Sequence, residues 1–200
     1  MYNLALTAQY AGSHVISLSL PWPLIPVFLT ALMFPASIAA RDLQVQRLMT
    51  TAKTQQENFQ FDQALLTYKQ ATQVAPGDLN VTLAYARAAR ALWHFRDVPT
   101  FQQQADAAYE RARLISPSST LPAFEHAQMY AFKEQYARAL TLLEPALTLD
   151  PNNAGYWLER ARYLAASGQE TPAITAYRRC WAIDIVPECE AGLKTLGVQP

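Results

Sequence analysis

Small residues recur along this chain at the spacing of stacked helical hairpins. Three prolines, Pro76, Pro117 and Pro151, close successive units, and the units begin 34, 41 and 34 residues apart, at Val45, Leu79, Thr120 and Ala154. A period in this range indicates paired helices stacked in an array rather than a closed globule. Each unit carries a triplet of small residues: Ala52, Ala64 and Ala71; Ala86, Ala105 and Ala112; Ala127, Ala139 and Ala146; and Ala161, Ala173 and Cys180.

The residue types explain why the triplets matter. Two antiparallel helices approach closely only where small side chains meet, and bulky residues from the next hairpin fill the remaining grooves. In the third unit, Phe124, Ala127 and Tyr130 recur at helical spacing, and Ala139, Leu143 and Ala146 repeat the pattern. Each unit therefore predicts two helices and a turn.

The last unit identifies the pattern with a known family. Trp157, Ala161, Ala173 and Tyr177 stand where tetratricopeptide repeats place a tryptophan, two small residues and an aromatic residue. The resemblance covers roughly residues 41–187. It implies an all-α, right-handed superhelix of about four hairpins, closed by a C-terminal capping helix. The other units depart from it, with Leu48, Thr82 and Ala123 at the tryptophan position.

The organisation expected from this resemblance is one repeat domain, residues 41–200. Its units lie near 45–78, 79–119, 120–153 and 154–187, with a cap at 188–200. The second unit is seven residues longer than a 34-residue unit, and the excess falls around Trp93–Pro99. This insertion predicts either longer helices with Trp93 and Phe95 folded onto a neighbour, or a projecting aromatic contact patch.

Residues 1–40 differ sharply from the rest, because they contain no Lys, Arg, Asp or Glu. Leu24–Phe34 is an apolar run of signal-peptide length, and small residues follow it up to Ala40. We expect export with cleavage after Ala39 or Ala40. An uncleaved membrane anchor over Val15–Ala40 is the first alternative, although its prolines disfavour a straight spanning helix, and a buried segment of a cytosolic protein is the second. The favoured location is the bacterial periplasm, or the inner membrane facing it.

Charge excludes one class of partner. Sixteen basic and sixteen acidic residues are spread beyond residue 40 without a run, and their charges cancel. Nucleic-acid binding relies on a concentrated basic surface, so no nucleic acid is expected as a partner. Membrane contact is expected only through the N-terminal segment, if it is retained.

Residues with catalytic potential are few. His94 and His126 are the histidines beyond residue 40, and neither belongs to a nucleophile or metal motif. The carboxylates of Glu125 and Glu134 are interpreted as solvated charges. We therefore expect no enzyme activity, no cofactor and no metal.

Two cysteines, Cys180 and Cys189, flank the end of the last hairpin and the start of a final amphipathic segment. In an oxidising compartment they favour a disulfide, and free thiols are the alternative. The segment begins with Pro187 and predicts a helix that caps the array.

In such repeats the first helices line the concave side, so the resemblance implies a partner-binding groove. The fifth positions of the units form an apolar row, and the ninth positions form a mostly basic row. An extended or helical segment of another envelope protein fits such rows, with carboxylates on the basic row. Arg87→Glu with Arg162→Glu is therefore expected to weaken capture with little effect on unfolding. An anchored assembly factor that docks subunits of an envelope complex is the alternative. The predicted groove residues are Met49, Lys53, Leu83, Arg87, Arg90, Phe124, Gln128, Phe132, Leu158 and Arg162.

Overall fold

A computed structural model describes the backbone of residues 6–8, 16–18 and 25–199 and the side chains of residues 38–199. The chain divides into two units, Met1–Arg47 and Leu48–Pro200. The division falls a few residues after the predicted end of the export segment, inside a helix.

The first unit contains a short antiparallel ribbon, which the sequence pattern did not predict. Strand β1 (Leu6–Ala8) pairs with β2 (Ile16–Leu18), with Thr7 opposite Ser17. Helix α1 (Ile25–Glu57) begins in this unit and runs through Ala39 and Ala40, the predicted cleavage sites. The side chains of the predicted apolar run, Leu24–Phe34, lie outside the described residues. None of the helices in the described part of the chain is both long enough and apolar enough to cross a bilayer.

The second unit is an all-α solenoid, which confirms the predicted fold class. The helices after α1 are α2 (Phe61–Val74), α3 (Leu79–Arg96), α4 (Pro99–Ile115), α5 (Leu121–Ala131), α6 (Tyr136–Leu149), α7 (Ala154–Ala166), α8 (Glu170–Ile183) and α9 (Pro187–Thr195). The end of α1 is hydrogen-bonded to α2. Helix α3 pairs with α4, α5 with α6 and α7 with α8, and successive hairpins pack through α2–α3, α4–α5 and α6–α7. Helix α9 packs on the last hairpin as a cap.

The small-residue triplets lie where the helices touch. All twelve members, eleven alanines and Cys180, have 0% of their surface exposed. Large side chains such as Tyr109, Tyr130 and Leu143 fill the space between hairpins and are also fully buried. The close approach of the helices therefore depends on the positions that the sequence pattern identifies.

Local signals set the helix ends. The carboxylate of Asp78 caps α3 by accepting hydrogen bonds from the backbone N–H groups of Asn80 and Val81. Proline occupies the first turn of α4, α5 and α9, where its missing N–H costs nothing. Gly168, with φ of +76°, forms the turn of the fourth hairpin.

The long second unit lengthens both of its helices. Helices α3 and α4 have 18 and 17 residues, whereas α5 and α6 have 11 and 14. Trp93 is buried with its ring 5.5 Å from that of Tyr130. Phe95 is instead exposed. The prediction that the insertion folds onto a neighbour therefore holds for Trp93, and the prediction of a projecting aromatic residue holds for Phe95.

Two clusters of buried residues hold the second unit together. One extends over the first three hairpins, and the other joins the fourth hairpin to α9. In the second cluster, a disulfide joins Cys180 to Cys189, whose Cα atoms are 6.1 Å apart. Leu193 of α9 is fully buried against the same hairpin. The cap therefore has both a covalent and an apolar attachment.

Candidate functional site

The first helices of the second and third hairpins, α3 and α5, present one continuous polar and aromatic surface. Arg87, Arg90 and His94 recur on α3 every three or four residues, and so share a face. Glu125, Gln128 and Phe132 repeat this spacing on α5 and at its C-cap. Contacts between Arg87 and Glu125 and between His94 and Phe132 bring the two faces together. These six residues are called the α3–α5 strip below.

One end of the strip is a fixed ion pair. The guanidinium of Arg87 donates from Nε to Oε2 of Glu125 at 2.8 Å and from Nη2 to Oε1 at 2.5 Å. The hydroxyl of Tyr109 donates to the same carboxylate at 3.4 Å. The hydrogen bond to Glu125 raises the pKa of Arg87. Because Glu125 is buried, this carboxylate would be costly to leave without its partner.

This pair corrects two expectations. Glu125 is not a solvated carboxylate, since it is buried and accepts hydrogen bonds from Arg87 and Tyr109. Arg87 is not a free cation for a partner's carboxylate, because its guanidinium already holds one. The sequence pattern could not pair them, since 38 residues separate them along the chain.

The other end of the strip is an aromatic stack. The rings of His94 and Phe132 lie 4.2 Å apart and 14° from parallel. Nε2 of His94 donates to the carbonyl oxygen of Met129 at 3.0 Å, which fixes the imidazole. Phe132 remains 68% exposed, so one face of its ring is available to a partner.

The charge around His94 is positive. Burial lowers its pKa most, and the charges of Arg90 and Lys133 lower it further, against the opposing effect of the Met129 carbonyl. His94 is therefore neutral near pH 7.

Arg90 lies between the two ends and is half-buried. Within residues 38–199, no ion pair involves its guanidinium. Gln128, also half-buried, has the corresponding place on α5. The strip thus offers a partner a cation, an amide and an aromatic face on two rigid helices.

The predicted apolar row is not continuous on the surface. Leu83 and Leu158 are only 1% and 8% exposed, so their inclusion among the contact residues is wrong. Both leucines belong to the buried clusters, because adjacent helices enclose an apolar side chain of this length. Met49 is half-buried, and the larger Phe124 stays partly exposed with its ring 5.0 Å from that of Tyr156.

The remaining predicted basic residues lie on other hairpins. Lys53 of α1 is 3.9 Å from the carboxylate of Glu57, and Arg162 of α7 is 3.0 Å from that of Glu159. Both are local pairs within one helix, and such exposed pairs break at little cost. Lys53 and Arg162 therefore remain predicted contacts on the neighbouring hairpins.

A second polar cluster lies in the interior between α4 and α5. Nε2 of His126 donates to Asp106 at 2.8 Å, and the hydroxyl of Tyr130 donates to the same carboxylate at 2.8 Å. Burial raises the pKa of Asp106, but these two hydrogen bonds together with nearby positive charge, including that of Arg138, hold that pKa below its usual value. His126 is buried and stacked 5.1 Å from Tyr109. Its place indicates a structural role.

Side chains that could bind a metal ion do not cluster in the part of the chain that the structure describes. Among the residues that the structure describes, no three His, Cys, Asp or Glu side chains converge on a point that could hold a metal ion.

Comparisons with known proteins yield structural likenesses alone. No family model matches the chain, and no curated protein is similar to it in sequence. Solved structures do match. MamA from Desulfovibrio magneticus RS-1 is 17% identical with a TM-score of 0.58, covering 77% of this chain and 82% of its own. PilF of Pseudomonas aeruginosa is 14% identical with a TM-score of 0.57, covering 78% and 69%.

A third structure carries a description of its fold. TTC0263, a thermophilic TPR protein of Thermus thermophilus, is 18% identical with a TM-score of 0.52, covering 76% of this chain and 80% of its own. At these identities the similarity concerns the fold alone.

Proposed function

Because the chain has the tetratricopeptide-repeat fold, we propose that it is a noncatalytic scaffold that binds a segment of another protein on its first helices. The observation that carries this proposal is the α3–α5 strip. Its half-buried Arg90 and exposed Phe132 lie beside two contacts that hold the helices in place.

The strip suits a segment with a carboxylate next to an apolar or aromatic side chain. The carboxylate pairs with Arg90, and the apolar side chain packs on the free face of Phe132. The amide of Gln128 donates to, or accepts from, the backbone of the segment. Since the strip is built on packed helices, little conformational entropy is lost on binding.

The proposed partner is another envelope protein. The uncharged N-terminal segment supports export, and the absence of a basic run in the sequence disfavours nucleic acid. Continuity of α1 through Ala39 and Ala40 supports the alternative, a retained segment and an anchored assembly factor. Mass spectrometry of the N-terminus of the protein from its native cells separates the two. A chain that begins at Ala40 or Arg41 supports export, and an intact Met1 supports retention.

The binding proposal is tested by site-specific crosslinking. A photoreactive amino acid at Gln128 should capture one main partner in cells, whereas the same group at Lys69, exposed on α2, should not. The captured protein is then purified, and its affinity is measured by calorimetry.

Two variants examine the strip directly. Arg90→Glu and Phe132→Ser should each weaken binding about tenfold or more, as expected for residues at the centre of an interface. Lys69→Glu, with the same charge change on a second helix, should leave the affinity unchanged. Equal affinities for all of these proteins would move the binding site away from α3 and α5.

A further inference from the structure

Three phenylalanines form a second exposed aromatic surface, at the turn of the first hairpin and the end of α3. The rings of Phe59 and Phe61 are 6.2 Å apart, and those of Phe61 and Phe95 are 6.3 Å apart. Phe59 is 81% exposed and Phe95 is 80% exposed, while Phe61 is half-buried against the core. These three residues are called the phenylalanine patch, and the extension of α3 in the long second unit brings Phe95 to it.

The backbone of Phe59 argues that this surface is not incidental. Phe59 has φ of +61°, in the left-handed region that aromatic residues rarely adopt. The corresponding turn of the fourth hairpin has Gly168, with φ of +76°, and that of the third has the polar Glu134. The first hairpin thus places a bulky, solvent-facing ring where glycine forms the same turn without strain. A phenylalanine at position 59 therefore adds little to the stability of the fold.

Charges beside the patch are of both signs. Arg96 donates from its two terminal nitrogens to the carboxylate of Asp62, at 2.7 and 2.8 Å. Lys53 and Glu57 precede the patch on α1. An anionic membrane or a nucleic acid requires net positive charge, which this balanced rim does not supply. A protein surface with charges of both signs complements it.

Size distinguishes between protein partners. Three phenylalanines bury roughly 450 to 750 Å² even when fully enclosed, and Phe61 is already partly buried, whereas a stable dimer needs about 800 Å² per subunit. A second copy of this chain, meeting it patch to patch, therefore buries too little. A narrow apolar stripe, as on an amphipathic helix, needs no larger surface.

We infer that the phenylalanine patch binds the apolar stripe of an amphipathic helix from another protein, with the flanking charges of that helix meeting Asp62 and Arg96, whose exposed pair opens at little cost. The half-buried Phe61 forms the floor of this site, and Phe59 and Phe95 form its walls. The site is separate from the α3–α5 strip, so the chain has two docking surfaces.

The test uses a fluorescent peptide of about 18 residues, or five helical turns, with Leu and Phe at helical spacing and mixed Lys and Glu flanks. Its control has the same composition in a scrambled order without a stripe. The full-length protein should bind the first peptide at least about tenfold more tightly than the second. Phe59→Gly with Phe95→Ser should abolish that preference, whereas Leu66→Ser, which changes an exposed leucine of α2, should preserve it.

Stability and competing occupants are measured on the same proteins. Phe59→Gly alone should unfold at equal or higher urea concentration than the unaltered chain, because glycine relieves the turn. Loss of peptide binding then reflects the missing ring and not unfolding.

The proposal is overturned if both peptides bind equally, if the double variant keeps the preference, or if the patch variants lose binding to phosphatidylcholine–phosphatidylglycerol vesicles instead. It is also overturned if those variants convert a dimer to a monomer in sedimentation equilibrium. Arg90→Glu should leave peptide binding unchanged, which separates this surface from the strip.

Discussion

The junction between the second and third hairpins and the C-terminal end of the solenoid are built from the same repeat but held together differently. At the junction, the buried carboxylate of Glu125 accepts hydrogen bonds from the exposed Arg87 and from Tyr109, and the ring of Tyr109 stacks on His126. At the C-terminal end, Ala161, Ala173 and Cys180 let the helices approach, and a disulfide fastens the cap.

The two regions differ because one is at the end of the array and the other lies between two hairpins. A terminal hairpin lacks a neighbour on one side, and a cap with a covalent link replaces the missing contacts. An internal junction has neighbours on both sides, so apolar packing suffices without buried charge. The ion pair there, with its buried Glu125 carboxylate, is better explained by the surface above it, because it joins α3 to α5, the helices that carry Arg90 and Gln128.

The largest expected effect is at the junction. Arg87→Ala should destabilise the protein by roughly 3 kcal/mol, because the buried carboxylate of Glu125 loses its partner. Urea unfolding followed by circular dichroism measures the change. Arg87→Ala with Glu125→Leu should recover most of the loss, since no unpaired charge remains. A single-variant cost below about 1 kcal/mol would show that the pair is not structural. Arg87→Glu is consequently unsuitable as a pure binding probe, contrary to the expectation from sequence.

The next effect is at the C-terminal end. Replacing Cys180 and Cys189 by Ala should cost roughly 2 to 3 kcal/mol by the chain-entropy model for a loop of this length. Hydrogen exchange should show faster exchange in α9 and unchanged rates in α3 and α5. If exchange accelerates equally throughout, the two regions do not unfold separately. Intact mass before and after reduction measures the oxidation state, because the oxidised form lacks the two thiol hydrogens.

The lowered pKa of His94 predicts a pH effect at the junction. Since the pKa of His94 is lowered in the folded protein, the unfolded chain binds more protons, and stability falls as pH drops through about 6.5. His94→Gln should flatten this part of the profile while leaving the acid limb below about pH 4, where Asp106 contributes. Urea midpoints between about pH 5 and 8 provide the measurement. Identical slopes for the two proteins would contradict the assignment.

The smallest effect on stability is expected for an arginine near the C-terminal end of the solenoid. Arg162→Ala breaks an exposed pair with Glu159 and should cost only about 0.5 kcal/mol. Arg87 and Arg162 are equally exposed, so comparison with Arg87→Ala under the same conditions tests whether the deeper burial of Glu125 than of Glu159 separates the two pairs. Equal costs for the two would remove the distinction drawn between the regions.

The sequence predicts the helices and their contacts well, because both depend on local pattern. Small residues mark the close approaches and proline marks the first turn of α9, so neither requires knowledge of distant contacts. The repeat pattern does not predict whether the side chains at the fifth and ninth positions of each unit are exposed or paired. Leu83 is enclosed and Arg87 is paired through helices that pack from other units. The repeat period does not determine which side chains of one hairpin meet those of the next, so the sequence does not predict the contacts that form the strip.

Affinity for the captured partner tests the central claim most directly. Calorimetric titration of the unaltered protein, Arg90→Glu and Lys69→Glu should show binding weakened about tenfold or more by the first substitution and unchanged by the second. If Arg90→Glu binds as tightly as the unaltered protein, the strip is not the binding site and the account is wrong.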